Sequence, residues 1–235
     1  MSAAAVVGHH SLNVGGPFGV YGLQFGSGKY VSTSTAITGN ASRTYLVFVK
    51  PTKTLGYAWG TAVIPIFCSG TTATNQDFTL RYYGSITASS CYLAFNGWSN
   101  DFNHYITLEA EVWTCIVVTY DGAKVKLFVN GVQPISGTGV PAEKATTALN
   151  TATGPLRFGT DHNGNSTGAT FAGFRVETVA LTATQIQSTM STLLPPHASL
   201  YAQWPLTEGN GATADDNSGN NRTLTLVGSP VWVGL

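Results

Sequence analysis

Residues 113–133 read WTCIVVTYDGAKVKLFVNGVQ. In the first half, Trp113, Cys115, Val117 and Thr119 alternate with Ile116, Val118 and Tyr120. Both alternating sets are largely apolar, which is the pattern of a strand covered on both faces and central in its sheet. Asp121-Gly122 is a tight-turn signal. Val125, Leu127 and Val129 then alternate against Lys124, Lys126 and Phe128, and Asn130-Gly131 signals a second turn. The stretch predicts a meander: strand, DG turn, strand, NG turn, strand.

The same pattern continues outward. Tyr21, Leu23 and Phe25 alternate up to the turn Gly26-Ser27-Gly28. Short strands are expected at 45–49, 64–68, 77–83, 90–95, 156–159, 171–180, 201–206 and 223–227. In 77–83 the residues Phe78, Leu80 and Tyr82 share one face. One helix is signalled. Thr182 with Gln185 forms a capping box, Leu181, Ile186, Met190 and Leu193 give an apolar stripe, and Pro195-Pro196 ends it. The expected fold is all-β: a two-sheet antiparallel sandwich or jelly roll with one short helix. Residues 1–17 are expected to form an N-terminal arm and 18–235 a single domain.

Composition agrees with this reading. Only 9% of the 235 residues are charged, against roughly 25% in an average domain. Eleven basic and eleven acidic residues cancel, while 43% are apolar. A phosphate-directed nucleic-acid binder needs a basic excess, so no nucleic-acid partner is expected. The 32 threonines favour strands and the 27 glycines favour turns. Apolar runs are too short for a membrane span, and the N-terminus lacks the charged and apolar regions of a secretory signal. The three cysteines, Cys68, Cys91 and Cys115, are expected to be reduced thiols, Cys115 in the core. The few charges are expected at turns and strand ends, leaving the sheet faces to apolar residues and threonine.

Several segments together resemble the laminin-G-like, concanavalin-A-like jelly-roll family. Residues 113–133 look like its hairpin pair around YDG and NG. Residues 156–159 with FAGFRVETVALTATQI resemble its "rFG … F-x-G … Leu-Thr-x-x-x-Ile" ending. YGLQFGSGKYV at 21–31 looks like its "L-x-F-d-G" strand. QWPLTEGNGATADDNSG at 203–219 looks like its opening, but here comes last. The resemblance therefore implies a circularly permuted order, with 200–235 supplying strands that usually come first. Those strands close either this sandwich or a neighbouring copy's.

Candidate chemistry is sparse. Glu109 and Glu111 alternate and would share a strand face, yet LEAEVW lacks the middle Asp and final Glu of the related hydrolases' E-x-D-x-x-E, so no enzyme is expected. His162 is the one histidine in a plausible site and has no defined partner. The loops 161–165 and 215–220 have the Asp and Asn oxygens that calcium takes, without EF-hand spacing; the same residues cap turns, so no cofactor is expected, with calcium as the alternative. For carbohydrate, an exposed aromatic face beside amides is the recognisable pattern. Trp98, Asn100 and Asp101, with Asp161 and Asn163, are the candidate residues, and Trp59 is a second loop tryptophan. Trp113 and Trp204 read as core.

The expected function is a non-enzymatic structural or binding module. One setting is a bacteriophage virion, as a capsid decoration, head-fibre or tail-fibre component docking to other virion proteins and to its own copies as an oligomer. The alternative is a lectin-like module for a host or environmental glycan; glycoside hydrolysis is third.

Overall fold

Period-two alternation of apolar side chains builds two sheets whose inner faces meet. The structure is a computed structural model describing residues 19–34, 36–52, 62–84, 91–136, 138–165, 168–190 and 192–235. The predicted arm and Trp59 lie outside the described residues. The strands begin with β1 (Tyr21–Phe25), β2 (Tyr30–Thr33), β3 (Arg43–Pro51), β4 (Ala62–Gly70), β5 (Asp77–Gly84), β6 (Tyr92–Asn96) and β7 (Phe102–Tyr105). β8 (Thr114–Tyr120), β9 (Lys124–Val129), β10 (Glu143–Ala145), β11 (Leu156–Phe158) and β12 (Ala169–Glu177) follow. After α1 (Ala183–Thr189) come β13 (Leu200–Trp204), β14 (Thr213–Ala214), β15 (Leu224–Val227) and β16 (Val231–Gly234).

One sheet runs β10-β9-β8-β3-β12-β1-β16, with β13 also on β12; the other runs β14-β15-β2-β11-β4-β5-β6-β7. All pairings between named strands are antiparallel. The fold is the expected all-β jelly-roll sandwich. β8 lies between β3 and β9 with every residue buried, as its two apolar faces require. The C-terminal segment pairs within its own chain: β13 on β12, β15 on β2 and β16 on β1.

Aromatic side chains fill the space between the sheets. Tyr45 of β3 meets Phe67 and Phe78 edge-on, and Phe158 of β11 stacks on Phe174 of β12 at 4.4 Å. Trp204 is fully buried and donates its indole N–H to the carbonyl of Arg222 at 2.7 Å, so its one polar atom is satisfied. The helix carries the predicted capping box, Thr182 with Gln185, and buries Ile186. Cys68, Cys91 and Cys115 are buried and unbridged.

Three expectations need correction. No strand follows Asn130-Gly131 directly. Val132 makes only an isolated bridge back to Val129, and the meander's third strand is β10, which begins only at Glu143. Asn130 explains the delay: its amide oxygen accepts from the N–H of Cys115, tying the turn back to β8. Glu109 and Glu111 do not share a strand face. They sit in the turn between β7 and β8, with Glu111 at φ +63°. Finally, the charges are not confined to turns and strand ends, since Arg81, Arg157 and Arg175 stand inside β5, β11 and β12, and several of those at the ends are buried. Arg43, Asp77, Asp161, Arg175 and Glu177 are all buried, and Arg175 pairs with Glu177 at 2.8 Å on β12. Ion pairs and hydrogen bonds make that burial tolerable.

Candidate functional site

In β5, Phe78, Leu80 and Tyr82 point into the core. The opposite parity therefore places Asp77, Thr79, Arg81 and Tyr83 on the outer face of that sheet. Register extends this face across the neighbouring strands. One row runs Thr225, Ser32, Arg157, Cys68, Thr79, Asn96 through β15, β2, β11, β4, β5 and β6. A second row pairs Pro65, Arg81, Ala94 and Asn103. A third pairs Val63 with Tyr83, Tyr92 and Tyr105.

The three tyrosines form a ladder. Tyr83 and Tyr92 stack at 4.8 Å and 15°, and Tyr105 meets Tyr92 edge-on at 5.7 Å. Tyr105 stands on the edge strand β7 and is 66% exposed, so one ring face is open to a ligand. Partial burial, with the neighbouring phenols of Tyr83 and Tyr105, raises the pKa of Tyr92, which keeps its hydroxyl a donor.

The other end of the face is roofed by the loop after β11. Gly159, at φ +81°, turns the chain and anchors its N–H on the carbonyl of Ile66. Asp161 then organises the loop. Its Oδ1 accepts from the N–H groups of Asn163 and Asn165, and its Oδ2 from the Asn165 amide and Arg81 Nε at 2.8 Å. Burial alone would raise this carboxyl's pKa, but the bonds from Asn165 and Arg81 outweigh it and hold it below the usual range. Arg81 also donates to Asn96 Oδ1, and His162 Nε2 lies 2.9 Å from Asp77 Oδ1, which accepts from Thr79 as well. Polar groups are thus fixed in place before any ligand arrives.

A pKa depressed in the folded state adds stability that is full above the unfolded value and is lost as pH falls through the folded value. Asp161 should therefore contribute to resistance against acid. Asp161→Asn is expected to lower stability at neutral pH and to flatten its fall on acidification below about pH 4. Urea titrations across that range check this, and a fall as steep as that of the parent protein would refute it.

The candidate residues read from sequence divide into two groups. Trp98 is 46% exposed at φ +48°, and Asn163 is exposed. Asn100 is buried, with its amide donating to Asn75 Oδ1 and the Thr147 carbonyl and accepting from the Thr147 N–H. Asp101 accepts from the N–H groups of Gly97 and Trp98. Asn100 and Asp101 therefore shape the Trp98 loop rather than face a ligand, and buried Asp161 shapes its own. The Trp98 loop joins the same end of β5, since Asn75, two residues before Asp77, donates its N–H to the Trp98 carbonyl. From Asp77 to Tyr83 the face spans about 20 Å at strand rise.

The sequence reading missed Arg81, Asn96, Arg157 and the tyrosine ladder. The signal for Arg81 and Tyr83 was the parity opposite Phe78, Leu80 and Tyr82. In both oxygen-rich loops a buried or half-buried carboxylate accepts from the chain's own donors. Asp161 is spent as above, and Asp216 accepts from the N–H groups of Gln203, Ser218 and Arg222 and from the Ser218 hydroxyl. Among the described residues no cluster of three metal-ligating side chains occurs. An open groove of about 570 Å³ lies elsewhere, between residues 193–196 and the 216–219 loop. Its Leu-Pro wall has few polar groups to orient a ligand.

The sequence profile of the concanavalin A-like lectin/glucanases superfamily matches residues 25–187. A candidate carbohydrate-binding protein from Bacteroides ovatus superposes with TM-score 0.65 at 17% identity, over 92% of this chain and 60% of that one. This chain thus spans 60% of that relative's length. A heptameric SAP-like pentraxin from Limulus polyphemus gives TM-score 0.57 at 14% identity, covering 89% of this chain and 95% of that one. The enzymatically active domain of tailspike protein 2 of bacteriophage CBA120 gives 0.52 at 13% identity, over 72% of this chain and 27% of that one. Identities this low show likeness of fold alone. No curated protein sequence matches the chain.

Proposed function

The chain belongs to the concanavalin A-like lectin/glucanases superfamily, and from that premise we propose that it is a carbohydrate-binding module whose ligand lies along the outer face of β5, β6 and β7. The ladder Tyr83, Tyr92, Tyr105 carries this reading, because it sets an exposed aromatic face beside fixed polar groups. Sugar rings stack on aromatic faces while Arg81, Asn96 and Asn103 reach hydroxyls. The likeness to the Bacteroides ovatus protein supports the same reading. Binding rather than bond cleavage is favoured because Glu109 and Glu111 lie in a turn and not on this face; retaining hydrolysis needs two carboxyls about 5 Å apart across the scissile bond.

A glycan array followed by calorimetry tests it. Tyr105→Ala should weaken the best-bound oligosaccharide about fivefold, the worth of one stacking contact. Trp98→Ala should weaken long oligosaccharides more than short ones, since Trp98 lies at the far end of the face. No array binding, or unchanged affinity in Tyr105→Ala, refutes the proposal.

A second reading is docking to virion proteins and to other copies of this chain. It is supported by the exposed Val132, Ile135 and Val140 beside β10, and by a surface whose scarce charge is scarcer still once the five buried charged residues are removed. Light scattering showing an oligomer, with binding to purified particles, would support it; a monomer that ignores particles would end it.

A further inference from the structure

On the glycan-binding reading above, the geometry points to an anionic sugar as the ligand class, with Arg157 as the residue that receives its carboxylate or sulfate. Arg157 is the central cation of the outer face. It stands on β11, between Ser32 of β2 and Cys68 of β4, in the same row as Thr79 and Asn96.

The other ionisable groups on this face already have side-chain partners. Arg81 binds Asp161 at 2.8 Å and also Asn96, and Asp77 receives His162 at 2.9 Å and the Thr79 hydroxyl. Arg157, among the described residues, has no carboxylate within ion-pair distance. Its one ring contact is with Tyr30, whose ring centre lies 5.9 Å from the guanidinium carbon. Cys68 beside it gives no counter-charge, because burial pushes that thiol up to about 12 and keeps it neutral.

A planar guanidinium offers two parallel N–H donors that match a carboxylate and also accept a sulfate. Arg157 is half-buried, and beside it in the row Ser32 is half-buried and Thr225 exposed, so the face is open toward β2 and β15. Strand spacing of about 4.8 Å puts Arg157 about 14 Å from β6 in the same row. The 160–165 loop and the buried Pro65 and Cys68 of β4 stand between Arg157 and the tyrosine ladder, so an acidic sugar residue would reach Arg157 from the β2 and β15 side.

The test is an array of matched neutral, uronate-bearing and sulfated oligosaccharides, read with the parent protein, Arg157→Gln and Arg157→Lys. The expected result is preference for an acidic set, weakened about tenfold or more by Arg157→Gln and less by Arg157→Lys. Binding should also weaken steadily with added salt. Uronate-only binding would identify carboxylate as the group, and sulfate-only binding a sulfate ester; either supports the assignment. Preference for neutral sugars, unaffected by Arg157→Gln, overturns it and leaves the glycan-binding reading standing. Binding to none of the three sets overturns both. Matching melting curves for the variants separate a binding loss from a folding loss.

Discussion

Arg43→Met should lower folding stability by about 3 kcal/mol or more, a large share of the 5–15 kcal/mol typical of a whole domain. Arg43 is fully buried at the start of β3 and, among the described residues, has no acidic partner. Its guanidinium instead donates to the carbonyls of Ile37, Gly39 and Ala41 and to the Thr151 hydroxyl. It also lies over the rings of Phe78 at 4.8 Å and Tyr120 at 5.4 Å. Burial lowers its pKa, and these acceptors and rings are what keep a charge tolerable there. Methionine would fill much of the volume, yet it would leave the buried Ile37 carbonyl and Thr151 hydroxyl without this donor, at about 1–3 kcal/mol each, and strip a bond from the part-buried carbonyls of Gly39 and Ala41. Replacing a whole buried ion pair by apolar residues can be harmless; here the acceptors are backbone and cannot be replaced with it. Urea denaturation measures the loss, and a change below about 1 kcal/mol would contradict the account.

Gly159→Ala should cost about 3 kcal/mol from two sources. The residue sits at φ +81°, where an L side chain is strained. A Cβ there would also lie 2.2 Å from Phe25 Cδ2 and 2.4 Å from Cε2. Phe25 cannot retreat, since it is buried and its ring packs 5.0 Å from that of Phe171. Gly164→Ala is the control. It has φ +75° with nothing within 4 Å of its Cβ, so it should carry the backbone strain alone, about 1 kcal/mol. Because Gly159 leads into the Asp161 loop, its variant should also lose ligand affinity at temperatures where it remains folded. Thermal melts of both variants check this, and equal losses would show that the Phe25 collision is absent.

Much of the fold was legible because its signals are local. Both parities of 114–120 are apolar, and only an interior strand satisfies that. Thr182 and Gln185 stand three apart ahead of an apolar stripe, and they form the cap they spell. The delayed third strand was not legible, since Asn130 signals a turn equally well whether or not its side chain ties back to Cys115. The buried charges escaped for another reason: Arg43 and Arg175 find most of their partners close in sequence, at Ile37, Gly39 and Ala41 and at Glu177, and such spacing does not tell a buried pair from a solvated one.

The site was legible only in part. Its rows are assembled by register, so Thr225, Ser32, Arg157, Cys68, Thr79 and Asn96 meet from six strands. Periodicity gives the parity of each strand but not which residue stands opposite which. Asn100, Asp101 and Asp161 illustrate the other difficulty. The oxygens and amides that would grip a sugar also cap loops, and residue type alone does not separate the two uses. Trp98 and Asn163 carry the exposed part of that reading.

The central claim is that ligand lies on the outer face of β5–β7 and β11. Amide chemical-shift mapping of the full chain, titrated with the best-bound oligosaccharide from the array, tests this most directly. The account predicts perturbations gathered on Arg81, Tyr83, Tyr92, Tyr105, Arg157 and the 160–165 loop. Perturbations gathered instead on the groove between 193–196 and 216–219, with this face unchanged, would contradict it.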